Sequence, residues 1–145
     1  MSERDLTTNN RYANVLLGLK KTDPLSLTKA INEGLPYSAV DVFSKQMLLQ
    51  PTQVGRAIRV TGPKLIRRER DGRMLPEESD RLVRLSRVFA LAIDLFDGDR
   101  VAAKGWLQSP QRALGSETPL AFASNEVGAR EVERLIGRLE HGVVA

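Results

Sequence analysis

At 145 residues, with 41% hydrophobic and 28% charged residues, the chain has the length and balance of one folded domain or two small modules sharing a core. A chain of this length buries about 70% of its unfolded surface, and its charge is too low for intrinsic disorder. The absence of cysteine rules out a disulfide framework and thiolate chemistry, and the net charge of +4 is unevenly spread. Residues 55–73 carry seven basic and two acidic side chains, a net of +5, while the remainder sums to −1. One short stretch therefore supplies the whole basic excess, the footprint of an element that binds a polyanion. The polar start "MSERDLTTNN" lacks the apolar core of a secretion signal, and stretches such as "FALAIDLF" are too short to span a bilayer. A cytoplasmic protein is the expectation.

Residues 1–22 read as a loosely ordered amino terminus with "YANVLLGL" as its one apolar patch. Asp23 then caps a helix that Pro24 opens and Gly34 ends, with Leu27, Ala30 and Ile31 on its buried face. Ser38 is the expected cap of the next helix, which buries Val40, Phe43 and Met47. Pro51 and Thr52 open a short helix burying Val54 and Ile58. Thr61 and Pro63 start another that runs to about Asp71 and closes at Gly72. Two short helices joined by a Gly62 turn have the form of a helix-turn-helix. The longest helix opens at Pro76, with Glu77 and Glu78 in its positive first turn, and stops at Gly98. Leu82, Leu85, Phe89, Ala92, Ile93 and Phe96 form its buried stripe, leaving Arg81, Arg84 and Arg87 on the surface. A short helix around "DRVAAKGWL" follows, then one capped by Thr118 and opened by Pro119. The last runs from the Asn125 cap to Gly142, packing through Gly128, Val132, Leu135, Ile136 and Leu139. The fold class is all-α, with no period-two strand pattern and no Gly-rich phosphate loop.

Catalysis finds little support. His141 is the sole histidine and stands at a helix end, and no nucleophile, metal-ligand cluster or cofactor motif accompanies it. The chain reads as neither an enzyme nor a metal or cofactor carrier. The charged candidates are clearer. Arg56, Arg59, Thr61, Lys64, Arg67, Arg68 and Arg70 form the candidate DNA-binding set. Lys64, Arg67 and Arg68 are expected to share a face at three- and four-residue spacing and, with Arg70, to divide between groove-facing and phosphate-facing roles, while Arg56 and Arg59 meet backbone phosphates. In the last helix Arg130, Glu133, Arg134 and Arg138 point outward, and the apolar tail Val143, Val144, Ala145 follows Gly142. Gly128 and Gly137 interrupt a good helix, which suggests close approach by another segment or a partner. Trp106, the sole tryptophan, reads first as a core anchor of the second half.

Three stretches then carry a resemblance in their order and spacing: "KLIRRERDGRMLPEESDRLVRLSRVFALAIDLF", "WLQSPQRALGSETPLAFA" and "EVGAREVERLIGRLEHG". From about Asp23 to Gly142 the chain resembles the Xre/MbcA/ParS-type antitoxins, partners of RES-domain toxins. The resemblance implies an Xre-like helix-turn-helix with its linking helix over 23–97, packed with a helical toxin-binding part over 98–145. It also implies a type II antitoxin, acting as a homodimer, that blocks an NAD-degrading RES toxin and represses its own operon at operator DNA. By position, Lys64, Arg67 and Arg68 match the family's recognition-helix basics. Trp106, Leu114, Gly115, Thr118, Pro119, Gly128, Val132, Leu135 and Gly142 match the toxin-binding signature. The expected toxin-binding set is thus Trp106, Gly128, Arg130, Glu133, Arg134, Arg138 and Gly142 with Val143, Val144 and Ala145, the tail reaching toward the NAD pocket. There is a departure: Ser116 stands where the family usually has a second glycine, and Ala121-Phe122 replaces a more acidic-aliphatic pair. The other reading is a self-sufficient helix-turn-helix regulator whose second half serves dimerisation or effector binding.

Overall fold

The computed structural model describes residues 6–142, and among them helices and turns account for all regular structure apart from two isolated bridges. In chain order the helices are α1 (Arg11–Val15), α2 (Pro24–Glu33), α3 (Ser38–Met47), α4 (Pro51–Ala57) and α5 (Pro63–Asp71). They continue with α6 (Pro76–Leu95), α7 (Arg100–Leu107), α8 (Pro119–Phe122) and α9 (Glu126–Glu140). Proline occupies the first position of α2, α4, α5, α6 and α8, where its missing N–H costs no hydrogen bond and its fixed φ suits the helix. Side-chain caps hold three helix starts expected from the sequence. Asp23 accepts from Ser26 N–H, Thr118 from Ala121 N–H and Asn125 from Gly128 N–H.

Two expected caps differ. Tyr37 takes the cap position of α3, one residue before Ser38, because its buried ring and its N–H bond to Gly72 O fix the start of the helix there. At α5 the cap is Gly62 with φ 58° and ψ −130°, a backbone state closed to threonine, so Thr61 lies outside the helix as an exposed turn residue.

Helix α6 is the axis of the molecule. It packs against α1, α2, α7 and α9. The expected stripe Leu82, Leu85, Phe89, Ala92 and Ile93 is buried and Phe96 is half-buried, but Val83, Val88 and Ala90 are buried as well. A helix covered nearly all round is what a central spine requires. Phe89 meets Phe43 of α3 edge to face, with ring centroids 5.0 Å apart. Its buried serines are satisfied: Ser79 Oγ accepts from Leu35 N–H and donates to Leu75 O, and Ser86 Oγ donates to Val83 O.

The expectation of a loosely ordered amino terminus is corrected over residues 6–22. Leu6, Tyr12, Ala13, Leu16 and Leu17 are buried, and α1 lies on α6. Asn10 Nδ2 donates to Thr22 O and Thr22 Oγ1 to Asn9 O, so the two ends of the segment are tied together. The apolar patch "YANVLLGL" is the cover for a face of α6 that would otherwise meet water.

In the loop before α8, Gly115 and Ser116 stand in succession at φ 66° and 67°. A left-handed conformation costs a residue with a Cβ about 1–2 kcal/mol, partly offset by the extra unfolded-state freedom of glycine. Ser116→Gly is therefore expected to stabilise the protein by about 0.5–1 kcal/mol. The check is a higher urea midpoint at an unchanged m-value.

Candidate functional site

The first candidate surface is built by α4, the turn 58–62 and α5. The turn folds back on α4 because residue 55 is glycine: a Cβ there would stand 2.4 Å from Val60 O. Val60 N–H donates to Gly55 O, and Ile58 and Val60 are buried beneath. Arg81 of α6 pins the turn from the other side, its Nε donating to Ile58 O at 2.6 Å. Arg81, expected on the surface, is instead half-buried and positions the turn.

The candidate DNA-binding residues divide sharply. Arg56, Thr61, Lys64, Arg67 and Arg70 are exposed, and among the described residues the side chains of Lys64 and Arg67 have no hydrogen-bond or ion-pair partner. Arg70 stands 3.6 Å from the Asp71 carboxylate on the open surface. Arg59 takes φ 61° and its guanidinium donates to Ser124 O at 2.7 Å, joining this region to the loop before α9. Arg68 does not share the outward face. It turns into the protein beside Leu65 and grips Glu78 of α6 with two hydrogen bonds of 2.7 and 3.1 Å. Glu78 also accepts from Leu75 N–H, holding the start of α6. Burial pushes the Glu78 carboxyl up, but the Arg68 hydrogen bond, the Leu75 N–H and the charges of Arg68 and Arg81 outweigh it. Its pKa is lowered overall. Arg68 is thus a structural cation, buried on Glu78, and is withdrawn from the candidate DNA-binding set.

The second candidate surface is the carboxy-terminal half. Trp106 is half-buried against the core. Gly128 is enclosed by this chain: a Cβ there would meet Phe122 O at 1.7 Å, so the close approach is that of α8. Gly137 has open space around its Cβ position. Along α9 the outward charges are knitted together. Arg130 pairs with Glu126, Arg134 with Glu131, and Glu133 with Arg87 of α6. Arg84 bridges Asp80 and Glu126. The hydrogen bond from Arg130, with those from Arg84 and the charges of both, holds the Glu126 carboxyl below the usual range. These groups rim an open cleft of about 510 Å³ between α1, α6 and α9, floored by Tyr12, whose hydroxyl burial pushes up in pKa. Exposed pairs of this kind contribute roughly 0–1 kcal/mol each, so a partner can rearrange them at small cost. Arg138 is half-buried and Gly142 is exposed with φ 73°, closing α9. Val143, Val144 and Ala145, expected to reach the toxin, lie outside the described residues.

No helix among the described residues is long and apolar enough to cross a membrane. Residues 91–142, from the last turn of α6 through α9, match the family model described as the antitoxin Xre/MbcA/ParS C-terminal toxin-binding domain. The class is therefore that of the proteinaceous, type II antitoxins. Curated relatives extend the match to the first half. An "Antitoxin Xre" of Yersinia enterocolitica is 38% identical over 128 residues, covering 88% of this chain and 86% of its own. One of Photorhabdus laumondii is 35% identical over 133 residues, covering 89% and 88%. One of Pseudomonas putida is 29% identical over 109 residues, covering 70% and 68%. The chain belongs to the Xre/MbcA/ParS-type antitoxins.

Proposed function

We propose that this antitoxin binds and blocks a RES-type, NAD-degrading toxin through residues 98–145 and represses its own operon through α4 and α5. It acts in the cytoplasm and at the nucleoid, as a homodimer and without catalysis. The observation that carries the toxin-binding part is the family match over 91–142, laid on a surface whose ion pairs are exposed and easily exchanged. Cationic groups such as Arg130, Arg134 and Arg138 resemble neither the charge nor the shape of NAD. Blockage is therefore steric, by a docked α9 and the short tail after it.

The test is co-expression with the neighbouring reading frame, measuring co-purification and cellular NAD. A stable pair, with NAD depleted by the neighbour alone and restored by both, supports the reading. No complex and no change in NAD sinks it and leaves a self-sufficient helix-turn-helix regulator.

For repression, the support is the basic share of 55–73 and the unpartnered exposure of Lys64 and Arg67 on α5. Replacing both by alanine is expected to weaken binding to DNA from upstream of the reading frame. The slope of log affinity against log salt should fall by about one to two, roughly one for each phosphate no longer neutralised. An unchanged slope in a salt titration removes both side chains from the interface.

A further inference from the structure

We infer that Ile66 is a specificity residue of this protein, reading thymine methyl groups in the major groove; the inference rests on the DNA-binding reading above. Helix α5 has two unlike faces. Leu65 and Arg68 are turned into the protein, and the rest of the helix presents Pro63, Lys64, Ile66, Arg67, Glu69, Arg70 and Asp71 to solvent. Ile66 is 67% exposed, an apolar side chain on a surface that carries Lys64, Arg67 and Arg70 against Glu69 and Asp71. Single exposed apolar residues elsewhere on the molecule need no explanation. This one differs in its surroundings. The unpaired side chains of Lys64 and Arg67 would be buried without a counter-charge under a neutral or basic protein surface docking on α5, whereas a polyanion satisfies them and brings its own apolar groups close. In the major groove of duplex DNA the thymine 5-methyl is the one apolar group at a base edge.

Position and stiffness agree with that occupant. Ile66 lies in the first two turns of α5, the part of a recognition helix that reaches base edges. Arg70 stands one turn on from Ile66 on the same side of the helix and Arg67 on the adjacent side, so contacts of these cations to guanine or phosphate bring Ile66 to the base edges. A β-branched side chain has few rotamers in a helix and loses little freedom on contact. Nothing in the core depends on it, which leaves the residue open to substitution without loss of fold.

The test uses the full chain and duplex DNA spanning the region upstream of its own reading frame, prepared once with thymine and once with uracil in its place. Uracil keeps every hydrogen-bonding group and lacks only the methyl. Affinities are measured by fluorescence anisotropy across a salt titration, for the wild type and Ile66→Ala. The wild type should bind uracil DNA about fourfold more weakly for each methyl read, the transfer value of one buried carbon. Ile66→Ala should bind thymine DNA with that same loss, show no further loss on uracil DNA, and keep the wild-type salt slope. Equal wild-type binding to both DNAs overturns the inference while leaving DNA binding intact, as does an undiminished uracil penalty in Ile66→Ala. Wild-type protein that binds neither DNA overturns the DNA-binding reading and this inference together. Loss of toxin co-purification by Ile66→Ala, with its DNA affinities unchanged, reassigns the residue to a protein contact.

Discussion

Gly128→Ala destabilises the protein by about 3 kcal/mol, the upper part of the range for forcing extra volume into packed structure. The obstacle is backbone: the added carbon would stand 1.7 Å from Phe122 O and 2.9 Å from its carbonyl carbon. Neither atom belongs to a side chain that can swing away. Relief requires α8 and the first turn of α9 to move apart, which also disturbs the Asn125 cap on Gly128 N–H. Gly137→Ala supplies the control, since it lies in the same helix with no atom within 4 Å of the new Cβ. It gains up to about 1 kcal/mol of helix propensity. Urea melts of the two variants should therefore shift in opposite directions. Because α8 and α9 lie within the matched toxin-binding domain, Gly128→Ala should also weaken co-purification with the toxin, and Gly137→Ala tests whether the open glycine is a docking point. Two melts shifted alike would show that the α8–α9 contact is not what residue 128 serves.

How much of the fold is legible in the sequence depends on the range of the forces involved. The boundaries marked by Pro24, Pro51, Pro63, Pro76 and Pro119, and the caps Asp23, Thr118 and Asn125, depend on residues within one turn of each other, so local chemistry fixes them. The order of segment 6–22 is hidden because its burial depends on α6, which lies some seventy residues away in the chain. Arg68 misleads for a different reason. Its charge suggests a groove-facing side chain, yet it stands three residues after Leu65, on the buried arc, ten residues before the carboxylate that neutralises it. The helical period carries that signal and the residue type hides it. Gly55 gives no warning, since a glycine in a short helix reads as a weak point until Val60 O is found against it. The toxin-binding half is legible through resemblance: its paired charges on α9 look like any solvated face.

Arg68→Met separates structure from DNA contact. It removes the cation that neutralises Glu78 and leaves a buried carboxylate without its charge partner, a change that costs about 3 kcal/mol. Adding Glu78→Gln to it removes the stranded charge while keeping an oxygen for Leu75 N–H, so the double variant should regain most of the loss. The pH dependence has a definite sign. Because the folded state lowers the Glu78 pKa, its stabilisation is complete above the ordinary carboxylate range and disappears as pH falls through the lowered folded value. Wild-type stability should therefore fall on acidification through that window, and the double variant should show a shallower fall. Removing a charge from inside the protein should leave the salt slope of DNA binding unchanged, measured well below the melting temperature. The Lys64 and Arg67 substitutions reverse both signs of this comparison, altering the slope and sparing stability. If Arg68→Met instead lowered the slope with its melting temperature intact, the ion pair would open on DNA, and Arg68 would return to the groove.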